Sequence, residues 1–495
     1  MTLVQWMPFI VLVPMIASGL VALLPGKTLP WLVTFLAATT STFLSYWVLS
    51  GLGSEPLSYA FGNWPPPMGI EYRVDAANAW VAFIVSGIAM AALLWGRVSV
   101  NQEIPERQNI FYALFLLALA GLLGITLTGD AFNVFVFLEI SSLSTYALIA
   151  FGQDRRGLLA AFRYLIMGTI GATFILIGIG FLYMMTGTLN MADLAERIPA
   201  VADTNAIRAG FAFIIVGLGL KLALLPLHLW LPNAYAFAPN MITVFLAGTA
   251  TKVALYVMLR FIYTIFGGDY SFGAVPLATL LMVLAVAGMV VGSWVAMFEP
   301  NLKRMLAYSS VAQVGYLVLG VSLVSVVGLT ATFVHLFNHA LMKAALFMAL
   351  GTVMYRTGSA RIEAFQGVGR QMPWTMTAFA LAGLSLIGVP TTAGFISKWY
   401  LILAAMEAGL VWLVVLILIT SFMAVYYIWR VIEAAWFKSP LADASGKTKV
   451  VTEAPLALLI PLWLMVALNF YFGLDTSLTL GAAEQAARAL LGAFE

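Results

Sequence analysis

The chain has 495 residues, of which 62% are hydrophobic and only 9% charged. That composition argues against a water-soluble enzyme, and the lack of cysteine excludes disulfides, thiolate-held iron–sulfur clusters and cysteine catalysis within the chain. The net charge of +3 comes from basic residues dispersed among loops, so no nucleic-acid partner is expected.

Apolar stretches of about 20 residues recur from end to end, the length needed to cross about 30 Å of hydrocarbon. About 14 of them can be placed, the first centred near Pro14 and the last near Met465, giving an all-α polytopic membrane protein in contact with lipid. The first run, Met7–Leu24, has no basic residue before it and no small-residue cleavage site, so it reads as a retained span. The longest connections are Gly51–Asp75, Thr186–Asn205 and Lys438–Glu453. The first contains Asn63-Trp64-Pro65-Pro66-Pro67, a stiff connector that cannot be helical. Of the 24 Lys and Arg, four lie within spans; of the rest, 15 fall in odd-numbered loops and five in even loops and termini. Positive-inside bias then puts the odd loops in the cytoplasm and both termini outside.

Five charges sit inside apolar runs: Glu139, Lys221, Lys252, Lys343 and Lys398. A charge near the bilayer centre costs about 2.5–3.5 kcal/mol on insertion scales, and such groups mark ion and proton paths. Glu139 follows Asp130 by nine residues, so it lies about 13 Å deeper along a helix. Asp130 itself reads as a loop residue, a helix cap or part of an ion-access site. Lys221 is followed by Pro226, His228 and Pro232, and Lys398 is preceded by Gly388-Val389-Pro390. Proline removes a backbone donor and kinks or splits a helix, and unwound backbone at membrane depth needs protein or a wet cavity beside it. Two such interruptions, each with a lysine, point to paired broken helices in a transporter; two packing kinks with snorkelling lysines are the plainer reading. Gly217-Leu218-Gly219 lacks the strand–turn–helix context of a phosphate loop and reads as close helix packing. His335, His339 and Lys343, spaced four apart, fall within about an 80° arc of one helix face. Imidazole both donates and accepts, which suits a proton relay, although a packed histidine is the ordinary alternative. The histidines lack carboxylate or thiolate partners in the sequence, so no metal and no cofactor is expected.

Several runs carry a resemblance. Gly129-Asp130-Ala131-Phe132-Asn133 through Glu139, His228-Leu229-Trp230-Leu231-Pro232, Leu302-Lys303-Arg304 through Ser310, Phe337-Asn338-His339 through Lys343, and Gly388-Val389-Pro390 through Lys398-Trp399 resemble the motifs of antiporter-like subunits. That family is shared by Mrp-type multisubunit cation/proton antiporters, the pumping subunits of respiratory complex I and membrane-bound hydrogenases. Arg370-Gln371-Met372-Pro373-Trp374 onward looks most like the D-type Mrp antiporter subunit. The resemblance implies that Glu139 and Lys221 form a first functional pair, that Lys252 is the central relay lysine, and that Lys398 is the terminal one. Arg163 stands where many relatives carry lysine; arginine does not deprotonate in this range, which favours an interfacial anchor there.

The expected architecture is helices 1–3 in residues 1–109, two inverted five-helix repeats in 110–265 and 266–437, and a cytoplasmic loop with helix 14 in 438–495. The expected function is a proton-translocating subunit of a multisubunit Na⁺/H⁺ antiporter, working with other membrane subunits and exchanging H⁺ for a monovalent cation. A pumping subunit of a redox-driven complex and a stand-alone solute transporter are the rival readings.

Overall fold

A computed structural model describes residues 2–492 except Ser54, Gln153 and 441–449; Lys447 and Lys449, two of the loop cations that set the orientation, therefore lie outside the described residues. In chain order the main helices are α1 (Leu3–Leu23), α2 (Thr28–Ser50), α3 (Ala76–Glu103), α4 (Gln108–Leu127), α5 (Ala131–Ala150), α6 (Arg155–Thr186), α7 (Asn205–Leu222), α8 (Leu231–Phe237) and α9 (Asn240–Ile265). They continue as α10 (Leu277–Phe298), α11 (Leu302–Ser322), α12 (Val326–Thr357), α13 (Pro373–Ile387), α14 (Ala393–Glu407), α15 (Val411–Phe437), α16 (Leu456–Leu474) and α17 (Ser477–Leu491). Among the described residues, 13 helices are long and apolar enough to cross a membrane, and α13 with α14 makes the fourteenth crossing.

Local chemistry fixes where these helices begin and end. In hydrocarbon every backbone polar group needs a partner, so the apolar runs must be helical. Short polar side chains satisfy the orphan N–H groups at the starts: Asp75 for α3, Asp130 for α5, Asp154 for α6, Thr204 for α7, Asn301 for α11 and Ser325 for α12. Glycines in the left-handed region close α6, α12 and α13 at Gly187, Gly358 and Gly388.

The split helices occupy matching places. α7 and α8 form the fourth crossing of α4–α9, and α13 and α14 the fourth of α10–α15. Five crossings per set is an odd number, so the second set starts from the opposite face and is inverted. The Gly217 region packs as expected, because a Cβ added at Gly217 would stand 2.6 Å from the carbonyl of Gly171 on α6. Helices α9, α11 and α12 are almost wholly enclosed, whereas α6, α10 and α15 turn residues such as Phe162, Val283 and Phe422 outward.

Three connections hold more structure than the sequence suggests. Gly51–Asp75 contains an antiparallel hairpin, β1 (Leu57–Ala60) with β2 (Glu71–Val74), and Asn63 ends a 3-10 turn, so only Trp64–Pro67 is the stiff non-helical piece. Buried Glu71 holds this hairpin to the core by accepting from Ser58 and from Asn190 Nδ2 at 2.7 Å. Thr186–Asn205 contains a short helix, Met191–Arg197. Beyond helix 14 comes α17, which buries Ala482, Ala483, Ala486, Ala487 and Leu490 against α12 and α3.

Candidate functional site

The site is a row of enclosed titratable groups crossing the molecule from α5 to α14. Glu139, two turns into α5 and partly buried, stands 3.9 Å from Lys221 Nζ on α7. Lys221 is 6% exposed and donates to Ser142 Oγ at 2.8 Å, while Glu139 Oε1 has no hydrogen-bond partner in the protein. The ion pair is thus present but loosely made. Beside Lys221 lies a cavity of about 40 Å³, lined by Ser141, Tyr164 and the α9 residues Ala250 and Val253 that flank Lys252. That is room for a water, with polar groups to hold it.

Lys252 is fully buried near the middle of α9 and donates to the carbonyl of Ala247 at 2.5 Å. Its charge reaches His335, His339 and Lys343 on α12, which packs against α9. The expected helix face is real: the His335 and His339 rings stack with centroids 5.9 Å apart and planes 7° from parallel. Neither ring nitrogen of His339 bonds to the protein, so both are available to a mobile proton carrier. Lys343 branches from this face, donating to Leu306 O at 2.8 Å and to Ser309 Oγ on α11.

His335 Nδ1 meets Ser397 Oγ at 2.8 Å, one residue before Lys398. Lys398 Nζ donates to Leu386 O at 3.2 Å, Ile387 O at 2.8 Å and Ser421 Oγ at 2.9 Å, and sits 5.0 Å from the Tyr316 ring centroid. Tyr316 also approaches His335, at 5.8 Å between rings. The row therefore runs Glu139, Lys221, Lys252, His339, His335, Lys398, with Lys343 to one side.

The helix breaks place the two end lysines. Lys221 lies in the last turn of α7, before the interruption at 223–230 that contains Pro226. Lys398 lies on α14, after the interruption at 388–392 that contains Pro390. Pro232 is a correction: it does not break a helix but opens one, standing in the first turn of α8, where its missing N–H costs nothing. A Cβ at Gly394 would fall 1.8 Å from Ser385 O, so only glycine lets α14 start this close to α13.

The structure leaves two candidates outside the row. Asp130 is the N-cap of α5, accepting from Asn133 N–H at 2.7 Å; burial raises its carboxyl pKa against the opposing effect of backbone N–H groups. His228 sits in the first break, with its ring 6.2 Å from Tyr308. Arg163 points outward from α6. The polar partners Ser142, Ser309, Ser397, Ser421 and Tyr316 were not singled out from sequence. Ser142 follows Glu139 by one helical turn and Ser397 adjoins Lys398, signals that could have found them; Tyr316 has no local signal.

A family profile described as "NADH:quinone oxidoreductase/Mrp antiporter, TM" matches residues 128–424. The chain is 42% identical over 468 residues to the N subunit of the NADH-quinone oxidoreductase of Desulforudis audaxviator, covering 92% of each chain. It is 30% identical over 496 residues to the D subunit of the Na⁺/H⁺ antiporter of Bacillus subtilis, covering 97% of this chain and 96% of that one. A chain in the structure of the Mrp complex from Dietzia sp. DQ12-45-1b superposes with a TM-score of 0.92 at 26% identity, covering 100% of this chain and 98% of the other.

Proposed function

This chain belongs to the NADH:quinone oxidoreductase/Mrp antiporter transmembrane family, and on that premise we propose that it is the proton-translocating, D-type subunit of a multisubunit Na⁺/H⁺ antiporter. It is a multi-pass membrane protein and a transporter subunit rather than a catalytic enzyme. The observation that carries the reading is the row of titratable groups from Glu139 to Lys398: its two ends are joined by direct, serine and tyrosine contacts, and its middle by the cavity beside Lys221 and the packing of the Lys252 helix on α12. A proton moves along such a row by changes of protonation and by water rearrangement, because each change of charge alters the proton affinity of the next group. In this reading residues 110–265 and 266–437 are the two antiporter-like halves. The face carrying the β1–β2 hairpin looks outward, with both termini, and the basic loops look into the cytoplasm of a prokaryote.

The test is proton movement in liposomes holding the purified intact complex, on adding Na⁺, K⁺ or Li⁺. Na⁺-dependent proton flux supports the reading. The 42% identity to an oxidoreductase N subunit favours a second one, a pumping subunit of a redox-driven complex. Flux that needs electron transfer and ignores the cation would select it.

A further inference from the structure

Helix α9 joins two water-accessible cavities. On the basic-loop face its first residue, Asn240, lines a cavity of about 350 Å³. On the hairpin face Tyr256 and Arg260 line one of about 860 Å³, whose wall also holds Asp75 and Thr128. Lys252 lies between them, unequally. It is 12 residues or about 18 Å from Asn240, but only four residues or about 6 Å from Tyr256. Lys252, Tyr256 and Arg260 also share one helix face, at spacings of four. The larger cavity thus reaches within about one turn of the central lysine, and any free exchange there would let protons leave the row sideways.

One turn farther out, on the cavity side of Tyr256, stands a fixed charge. Arg260 Nη2 donates to Asp75 Oδ1 at 2.5 Å, Nε to Tyr256 Oη at 2.9 Å and Nη1 to Thr264 Oγ1 at 3.4 Å. Tyr256 Oη in turn donates to the carbonyl of Thr126 at 3.1 Å. Asp75 is aimed by the start of α3, accepting from Ala77 N–H at 2.9 Å and Asn78 N–H at 3.3 Å. Arg260 is 7% exposed. A guanidinium does not release its proton, and a fixed arginine beside a pore excludes protons and cations electrostatically.

We propose that Arg260, positioned by Asp75, is a proton seal between the outer cavity and Lys252, keeping the lateral row from short-circuiting to the outside. The inference rests on Lys252 belonging to the proton path. Burial tends to raise the Asp75 carboxyl pKa, but Arg260 and the α3 amides more than reverse this, so the carboxylate stays charged and paired. Arg73, Glu196 and Arg488 stand around the same cavity and leave the seal itself to the buried pair.

The experiment uses the intact complex in liposomes with an imposed pH gradient and no Na⁺, K⁺ or Li⁺ gradient, following decay of internal pH. Arg260→Gln, in complex shown to assemble, should lose the gradient about tenfold faster than wild type, and Arg260→Lys should fall between the two, because it restores a cation but one that can release its proton. Adding Lys252→Met to Arg260→Gln should restore tightness, since the leak runs through that lysine. Asp75→Asn gives the second arm: it frees the guanidinium and should leak measurably if Arg260→Gln fails to assemble. An assembled Arg260→Gln or Asp75→Asn complex as tight as wild type overturns the proposal, as does a leak that persists in the Lys252→Met double variant. Failure of the functional reading shows separately, as a wild-type complex without cation-dependent proton flux.

Discussion

Lys221 and Lys398 both stand at the carbonyl end of an interrupted helix, but they reach it from opposite directions. Lys221 belongs to the helix that ends, one residue before the end of α7, whereas Lys398 belongs to α14 and reaches back to the last carbonyls of α13. A helix C-terminus carries partial negative charge, which steadies an ammonium. Unwinding therefore places negative backbone dipole beside each end of the row without a second carboxylate, and Glu139 remains the one acid along it.

Glu139 is accordingly the most sensitive position. Glu139→Gln keeps the size and removes the titrating charge, so transport should fall to background while assembly persists. Glu139→Asp should retain part of the activity, since the carboxylate survives one methylene further back. Near-normal cation-driven proton flux in the Gln variant would remove Glu139 from the path.

Lys221 poses a different question, because a relay and a fixed charge both need a cation. Arginine keeps the charge near Glu139 but holds its proton, with a pKa above about 12. Lys221→Arg should assemble and move almost no protons. More than about half of wild-type flux would mean that Lys221 only tunes its neighbour.

The fold legible in the sequence was the part written in hydrophobic length. Apolar runs, Pro226 and Pro390, and charges isolated in the runs located the crossings, both breaks and the acid and lysines of the row, and a spacing of four along one helix face found its two histidines. Less legible was whatever depends on distant partners. Tyr316 meets Lys398 and His335 only because α11 crosses α12 and α14. The Asp75–Arg260 pair joins residues far apart in sequence, and each alone reads as a helix-end charge. α17 escaped because its buried face is alanine, which allows close approach but gives little apolar contrast.

Topology can be checked in this cysteine-free chain. Single cysteines at Ser359 and Ser477 are separated by three crossings, so they should react with an impermeant thiol reagent from opposite faces, Ser359 from the cytoplasm. Labelling of both from one side would refute the fourteen-crossing count; both responses exchanged would invert the orientation.

Gly394 gives a packing test. A side chain there would enter the Ser385 carbonyl, whereas a Cβ at Gly180 meets nothing within 4 Å. Gly394→Ala should destabilise the protein by about 1–3 kcal/mol or more, as overpacking does, and Gly180→Ala should be close to neutral. Thermal denaturation of the two variants in detergent compares them directly; equal midpoints would contradict the close approach of α13 and α14.

Acid should unmake the Asp75–Arg260 pair. The folded carboxyl pKa lies below its ordinary value, so its contribution to stability is complete above an unfolded value of about 3.9 and is lost as pH falls through the lowered folded one. The difference in melting temperature between wild type and Asp75→Asn should hold from pH 7 to about pH 5 and shrink only below about pH 4. A difference that vanished between pH 7 and 5 would assign the effect to another group.

Helix α12 has consequences for how the protein is made. It carries His335, Asn338, His339 and Lys343 and keeps no side for lipid. Released alone into the bilayer, it would set these groups against hydrocarbon, at a cost of a few kcal/mol per charge. Much of its cover comes from α13, α14, α16 and α17, all of which leave the ribosome after it. The helix that carries the middle of this row of titratable groups must therefore wait, during synthesis, for the last third of the chain to enclose it, so the row is among the last parts of the molecule to be completed.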